Sequence, residues 1–274
     1  DSSLKLLVRS SFLVLIGVIL SKVLTYIFRI IIARKFGPEV YGLFSLVTMI
    51  LGMILAVSSL GLLDGILRFI PQYRGSKEKD KITYILNLTN KILFITGITS
   101  AVLLFFLSDF IAFNIFHNAD LAILLRILSY FVPIAVLANP FLVVIRGYEF
   151  ISSYSFIYNI LQNIVRVLTL VILVLLGFNA SSTVISFCLG FLAVLICSYI
   201  ICRYKIPELF IKSKLSQKDK QIVRKSFFSY SFPLLFFGII SLLFYWTDSF
   251  FLGYFKGVES VGFYNATVPI AMFL

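Results

Sequence analysis

The sequence predicts an all-α integral membrane protein, on three observations. Of its 274 residues 60% are hydrophobic and only 13% charged, with a mean hydropathy of +1.04, far from the ~25% charge of a soluble domain. The apolar residues come in runs of about 20 or more, the length that crosses a hydrocarbon core of ~30 Å at 1.5 Å per residue. One stretch, 203–225 (RYKIPELFIKSKLSQKDKQIVRK), carries eight Lys and Arg between two apolar halves. Membrane strands would alternate apolar and polar residues over about ten positions. These runs are apolar on nearly all sides, so the spans are read as helices.

Taken in order, the predicted spans are 10–33, 42–63, 82–107, 121–144, 155–177, 183–202 and 227–252, with another beginning at 261. Six spans therefore precede the basic stretch, which divides the chain into a first lobe (1–202), a linker (203–226) and the start of a second lobe (227–274). The chain does not begin with Met and ends at Leu274 inside an apolar run, so we expect a piece of a longer, transporter-sized protein. Cys188, Cys197 and Cys202 all fall at the sixth span. An odd number inside a span argues for packing residues rather than a disulfide framework.

The net charge of +12 reports orientation rather than nucleic acid. With the N-terminus inside, sixteen Lys and Arg fall on the inner segments and three, Arg34, Lys35 and Lys256, on the outer loops. Excess cations mark the cytoplasmic side, so a multi-pass protein of the cell membrane with a cytoplasmic N-terminus and linker is expected. The five remaining cations, Lys22, Arg29, Lys91, Arg126 and Arg166, lie inside spans, where each costs a few kcal/mol.

Sliding the chain by 220 residues aligns Lys5, Ser11, Phe12, Leu15, Ile19, Ser21, Gly37, Glu39, Gly42 and Ile50 with identical residues of the second half, without a gap. FGPEVYGLF at 36–44 and KGVESVGFY at 256–264 are the most alike, and both follow the first span of their half. Six spans separate the copies, an even number, so the repeat is parallel, about an axis along the membrane normal.

The fifth predicted span carries Asn159, Gln162, Asn163, Arg166 and Thr169 at spacings of three and four, a single polar stripe on an apolar helix. Arg166 lies eleven residues beyond Ser155, ~16 Å along the helix and near the bilayer centre. Ser11, Val18, Lys22, Thr25 and Arg29 share a face of the first span, and Thr83, Asn87, Asn90 and Lys91 one of the third. These faces are expected to converge on a hydrated interior that attracts an anion. The competing reading is that the cations snorkel or hydrogen-bond neighbouring helices. Against it, interhelical polar contacts normally use Ser, Thr, Asn and Gln, and the first six spans offer no acid at depth.

Enzyme chemistry has little to stand on. His117 is the sole histidine, the acids lie singly at span ends or in loops, and neither a phosphate-binding loop nor a nucleophile motif is present. No catalytic residue, metal or cofactor is expected.

RKFGPEVYGLFSL after the first span, LGLLDGILRFIPQYRG after the second, RGYEF after the fourth and YSFPLLFFGIISLLFYWTDSFFLGYFKGVESVGFYNA across the seventh and eighth resemble the Wzx-like polysaccharide flippases. That family belongs to the MOP exporter superfamily, which also holds the MATE antiporters. The resemblance implies two six-helix lobes around a central cavity, of which this chain has the MATE-like first lobe and the first one to two helices of the second. It implies flipping of a lipid-linked oligosaccharide, on an isoprenoid pyrophosphate, from the cytoplasmic to the outer leaflet. Lys22, Arg29, Lys91, Asn159, Gln162, Asn163 and Arg166 are the candidate substrate path, and Asp248 the candidate site of a coupling cation. A MATE-type small-molecule or cation antiporter is the alternative, and a polytopic membrane enzyme comes after it. The expected partners are membrane lipid and the lipid-linked glycan, with no nucleic acid.

Overall fold

A computed structural model describes residues 2–211 and 213–271. Lys212 of the basic stretch and the last three residues of the second lobe lie outside them, as do the side chains of Lys5, Arg9, Ser11 and Phe12. The described chain is helical almost throughout: α1 (Ser2–Ser59), α2 (Leu62–Gly75), α3 (Lys79–Asp109), α4 (Ala119–Gly147), α5 (Ile151–Ser155), α6 (Gln162–Leu175), α7 (Ser181–Lys205), α8 (Gln217–Lys256) and α9 (Val258–Ala271). A π-helical segment, Phe110–Ile115, extends α3, and another, Phe156–Leu161, joins α5 to α6. Six helical stretches are long and apolar enough to cross a membrane.

The first of these is two spans in one. α1 bends at Gly37 (φ 83°, ψ 179°), and Pro38 opens its second limb. Backbone in that region is accessible only to glycine, while a proline in the first turn gives up no hydrogen bond. Gly257 (φ 85°, ψ 173°) separates α8 from α9 in the same way, and 257 is 37 plus the repeat length.

The two bends meet. A Cβ on Gly42 would lie 2.0 Å from the Val258 carbonyl oxygen, and a Cβ on Gly262 would lie 2.0 Å from the Pro38 carbonyl oxygen. Val258 and Gly262 are Pro38 and Gly42 shifted by 220, so the contact is reciprocal, as across a two-fold axis. The chain therefore has the predicted parallel repeat, with a six-helix lobe and the start of its second copy packed through their equivalent helix starts.

At one end of the bundle the turns carry the basic residues. There Lys79 pairs with Glu208 (2.6 Å), Asp80 accepts the Lys214 amide (2.8 Å) and Arg74 reaches Glu149 (3.2 Å). Burial pushes the Tyr148 phenol up to about 12, so it stays neutral beneath the Arg74 guanidinium, 5.6 Å from its ring. At the far end Phe116 packs on Phe250 and Asn118 reaches Glu39. Arg126 finds its partner there in Asp109 at 2.5 Å, which accounts for one of the five cations inside spans.

The helices at the basic end run further than the apolar runs that predict them. α2 continues to Gly75, because Leu62, Gly65, Ile66, Phe69, Ile70 and Tyr73 form a buried stripe. Gly61 and Gly65 let it press against Ser231 and Phe227 of α8. α8 starts ten residues before the predicted span, where Ser216 caps it by accepting the Asp219 amide. The stretch read as a linker is thus helical from Gln217 onward.

Because the Gly42 and Gly262 contacts leave no room for a methyl group, Gly42→Ala and Gly262→Ala should each destabilise the full-length protein by about 1–3 kcal/mol. Gly238→Ala, which meets nothing within 4 Å, should not. Thermal unfolding in detergent measures both, and an unchanged midpoint for Gly42→Ala would contradict the close contact.

Candidate functional site

The polar stripe of the fifth span faces the first limb of α1. Gly17, Ser21 and Thr25 lie one turn apart, as do Ser155, Asn159 and Asn163 opposite. A Cβ on Gly17 would come 2.6 Å from Ser155 Oγ, so the backbones approach closely. Asn159 Nδ2 donates to Ser155 Oγ (3.0 Å) and Asn163 Nδ2 to Ser21 Oγ (3.0 Å), while Thr25 donates to Asn163 Oδ1 at 3.3 Å. Asn159, Gln162 and Asn163 are all buried. Asn163 thus joins α1 to α6, while Asn159 bonds within its own helical run beside Gly17, a use of small and amide side chains general to membrane helices. Ser21 and Gly17 were not among the predicted residues, although their spacing from Thr25 is a visible signal.

Arg166, on the same stripe, turns to α7. Its guanidinium lies 3.9 Å from the centre of the Phe187 ring and 5.1 Å from that of Phe191. Its stem runs over Gly190, where a Cβ would come within 2.7 Å. Nε is buried without an acceptor, so the charge is held by ring faces.

Lys22 and Arg29 lie on another face of α1. Lys22 is exposed and, with Tyr26, marks a cavity of about 700 Å³ whose wall is otherwise Val18, Ile19, Val23, Ile27 and Ile30. Arg29 is the charged neighbour of the Tyr41 phenol, which donates to the Asn265 carbonyl of α9 at 3.2 Å. The repeat makes this face informative. Residues 242, 246, 249, 250 and 253 are the equivalents of 22, 26, 29, 30 and 33. On α8 that face packs on the second limb of α1 and on Phe116: Trp246 Nε1 is 3.6 Å from the Cβ position of Gly52, Phe250 packs on Phe116 beside an apolar cavity of about 360 Å³, and Gly253 presses on Phe116 and Leu46. The two faces differ in residue type, with Leu242, Trp246, Ser249 and Phe250 at the positions of Lys22, Tyr26, Arg29 and Ile30.

A second difference concerns Asp248. In the first half Phe28 packs on Phe44, ring centres 5.5 Å apart. In the second their equivalents are Asp248 and Tyr264, and the phenol donates to the carboxylate at 2.5 Å. Next to it Asn265 Nδ2 donates to Ser249 Oγ at 2.9 Å. Asp248 is exposed. Lys91 lines a different groove, with Asn90, Phe94, Leu137, Phe141 and Leu195. The structure therefore brings Lys22 and Arg29 to one face of α1, Asn159 and Asn163 to another, and Arg166 to α7, while Lys91 joins none of them.

The fold is that of a transporter class. A MOP superfamily transporter from Pyrococcus furiosus superposes with a TM-score of 0.72 at 18% identity, over 97% of this chain and 59% of that one. A multidrug resistance MATE family transporter, solved in an outward-facing conformation, superposes with a TM-score of 0.64 at 17% identity, over 86% of this chain and 52% of that one. The chain thus spans little more than half the length of these transporters. No curated protein sequence matches it. Residues 7–274 match the family model of polysaccharide biosynthesis proteins, and the chain belongs to that family. It is a multi-pass membrane protein with a MOP superfamily fold.

The bond between α1 and the asparagine stripe should be measurable as a coupling. In the full-length protein Ser21→Ala and Asn163→Ala should show a coupling energy of about 0.6–1.7 kcal/mol, the range for hydrogen bonds between membrane helices. Additive effects in unfolding titrations would contradict it.

Proposed function

We propose that the protein moves a lipid-linked oligosaccharide, carried on an isoprenoid pyrophosphate, from the cytoplasmic to the outer leaflet of the cell membrane. In this reading the basic end and the N-terminus are cytoplasmic, residues 1–202 form the first lobe, 203–226 a cytoplasmic linker, and 227 onward begins the second. The protein acts as a transporter, by alternating access, and not as an enzyme.

The observation that carries the reading is the pair of cations on the first limb of α1, with Lys22 at the edge of an apolar cavity of about 700 Å³ and Arg29 two turns further along the helix. A pyrophosphate must carry negative charge through hydrocarbon, and Lys22 and Arg29 would supply positive charge along that path. The apolar wall around Lys22 suits an isoprenoid chain beside the headgroup. Asn163 holds the helix that bears the cations, and Arg166 stands on the Phe187 ring of α7. The clasp between Gly42 and Gly262 lies at the far end, where it would seal the cleft against the outside. Family membership supports the substrate class.

The exposed Asp248, bonded by Tyr264, supports a coupling cation, and it is the observation that favours the second reading, a cation-coupled small-molecule antiporter. In the full-length protein, Lys22→Gln and Arg29→Gln should each lower glycan export about tenfold, the loss of one charged hydrogen bond, at unchanged membrane level. Lys22→Arg should retain most of it. Normal export by the double Gln variant would remove these cations from the path, and drug efflux without glycan export would favour the antiporter.

A further inference from the structure

We propose that the groove over α4, between α3 and α7, binds the phosphate of a phospholipid in the leaflet at the basic end. Leu137 and Phe141 form its floor, Leu195 one side, and Asn90, Lys91 and Phe94 the other, enclosing about 360 Å³. That is near the lower end for a small-molecule site, ~300–1,000 Å³. It suits a headgroup phosphate and the first part of an acyl chain, and is small for an oligosaccharide. Among the described helices α8 and α9 pack on α1, α2 and α3, away from the side formed by α4 and α7.

The cation here lacks a partner. Lys91 is exposed and makes no ion pair among the described residues. An ammonium at hydrocarbon depth is costly until an anion joins it, and lysine's flexible stem can carry it toward the headgroups.

The depth fits a headgroup drawn inward. Thr83, one of the first residues of α3, donates to the Glu208 carbonyl at the basic end, and Lys91 lies eight residues further, ~12 Å along the helix. At the groove's mouth Phe141 stacks on Phe210, and the Arg203 guanidinium lies 5.2 Å from that ring. A phosphate there would have the Lys91 ammonium beside it, with its tails on Phe94 and Leu195. The lipid would tie α3 to α7 across α4.

The test uses the full-length protein, delipidated in detergent and titrated with dioleoyl phosphatidylglycerol, with binding read by native mass spectrometry. We expect one tight site, about tenfold weaker in Lys91→Gln and largely kept in Lys91→Arg. Leu195→Trp, which fills the groove and leaves the charge, should lose it too, while Lys22→Gln should not. Dioleoylglycerol, with the same tails and no phosphate, should bind weakly, and farnesyl diphosphate should not compete. Equal binding by Lys91→Gln, or by dioleoylglycerol, would overturn the proposal. Displacement by farnesyl diphosphate would overturn it as well, placing the groove on the substrate route while leaving the reading as a flippase intact.

Discussion

The architecture depends on one contact, in which two glycines are each pressed against the carbonyl at the start of the other's helix. Gly42 lies under the Val258 oxygen and Gly262 under the Pro38 oxygen. Both helix starts can reach it only because Gly37 and Gly257 take a backbone conformation closed to other residues. Any side chain at 42 or 262 would push the helices apart. With the starts locked together, α8 is laid along the second limb of α1, Gly253 against Leu46 and Trp246 against Gly52.

Around this shared axis the two halves differ where charge is concerned. The face of α8 carries Leu242, Trp246 and Ser249 where the equivalent face of α1 carries Lys22, Tyr26 and Arg29. A packed aromatic pair, Phe28 and Phe44, is replaced by the acid and phenol of Asp248 and Tyr264. A duplicated scaffold with unlike charges at equivalent positions is well suited to the proposed transport of an anion. One copy can hold the headgroup while the other responds to a cation.

Much of this could be read before any coordinates. Length and apolarity locate the spans, and the 220-residue shift finds Gly37, Gly42 and their partners, because close backbone approach leaves its mark in glycine itself. The stripe of Asn159 and Asn163 was visible for the same reason, since amides buried in hydrocarbon must find a partner helix. Hidden were the ends of α2 and α8, where polar turns continue a helix held by Gly65 and Ser216. Also hidden was the fate of the cations. Nothing local to Arg166 announces that Phe187 and Phe191 will face it, and nothing near Lys91 says that it will lie beside α4 and α7. Helical spacing assigns a residue to a face, whereas the neighbour of that face is set by packing far along the chain.

In the proposed alternating access, the glycine clasp is the outer seal at which the halves would part. Glu39 and Glu259, each next to the clasp and exposed, can be replaced by cysteine in the full-length protein and joined by a short bis-maleimide. The account predicts that each single variant exports glycan normally and that the cross-linked double variant does not. Export at the normal rate by the cross-linked protein would contradict it.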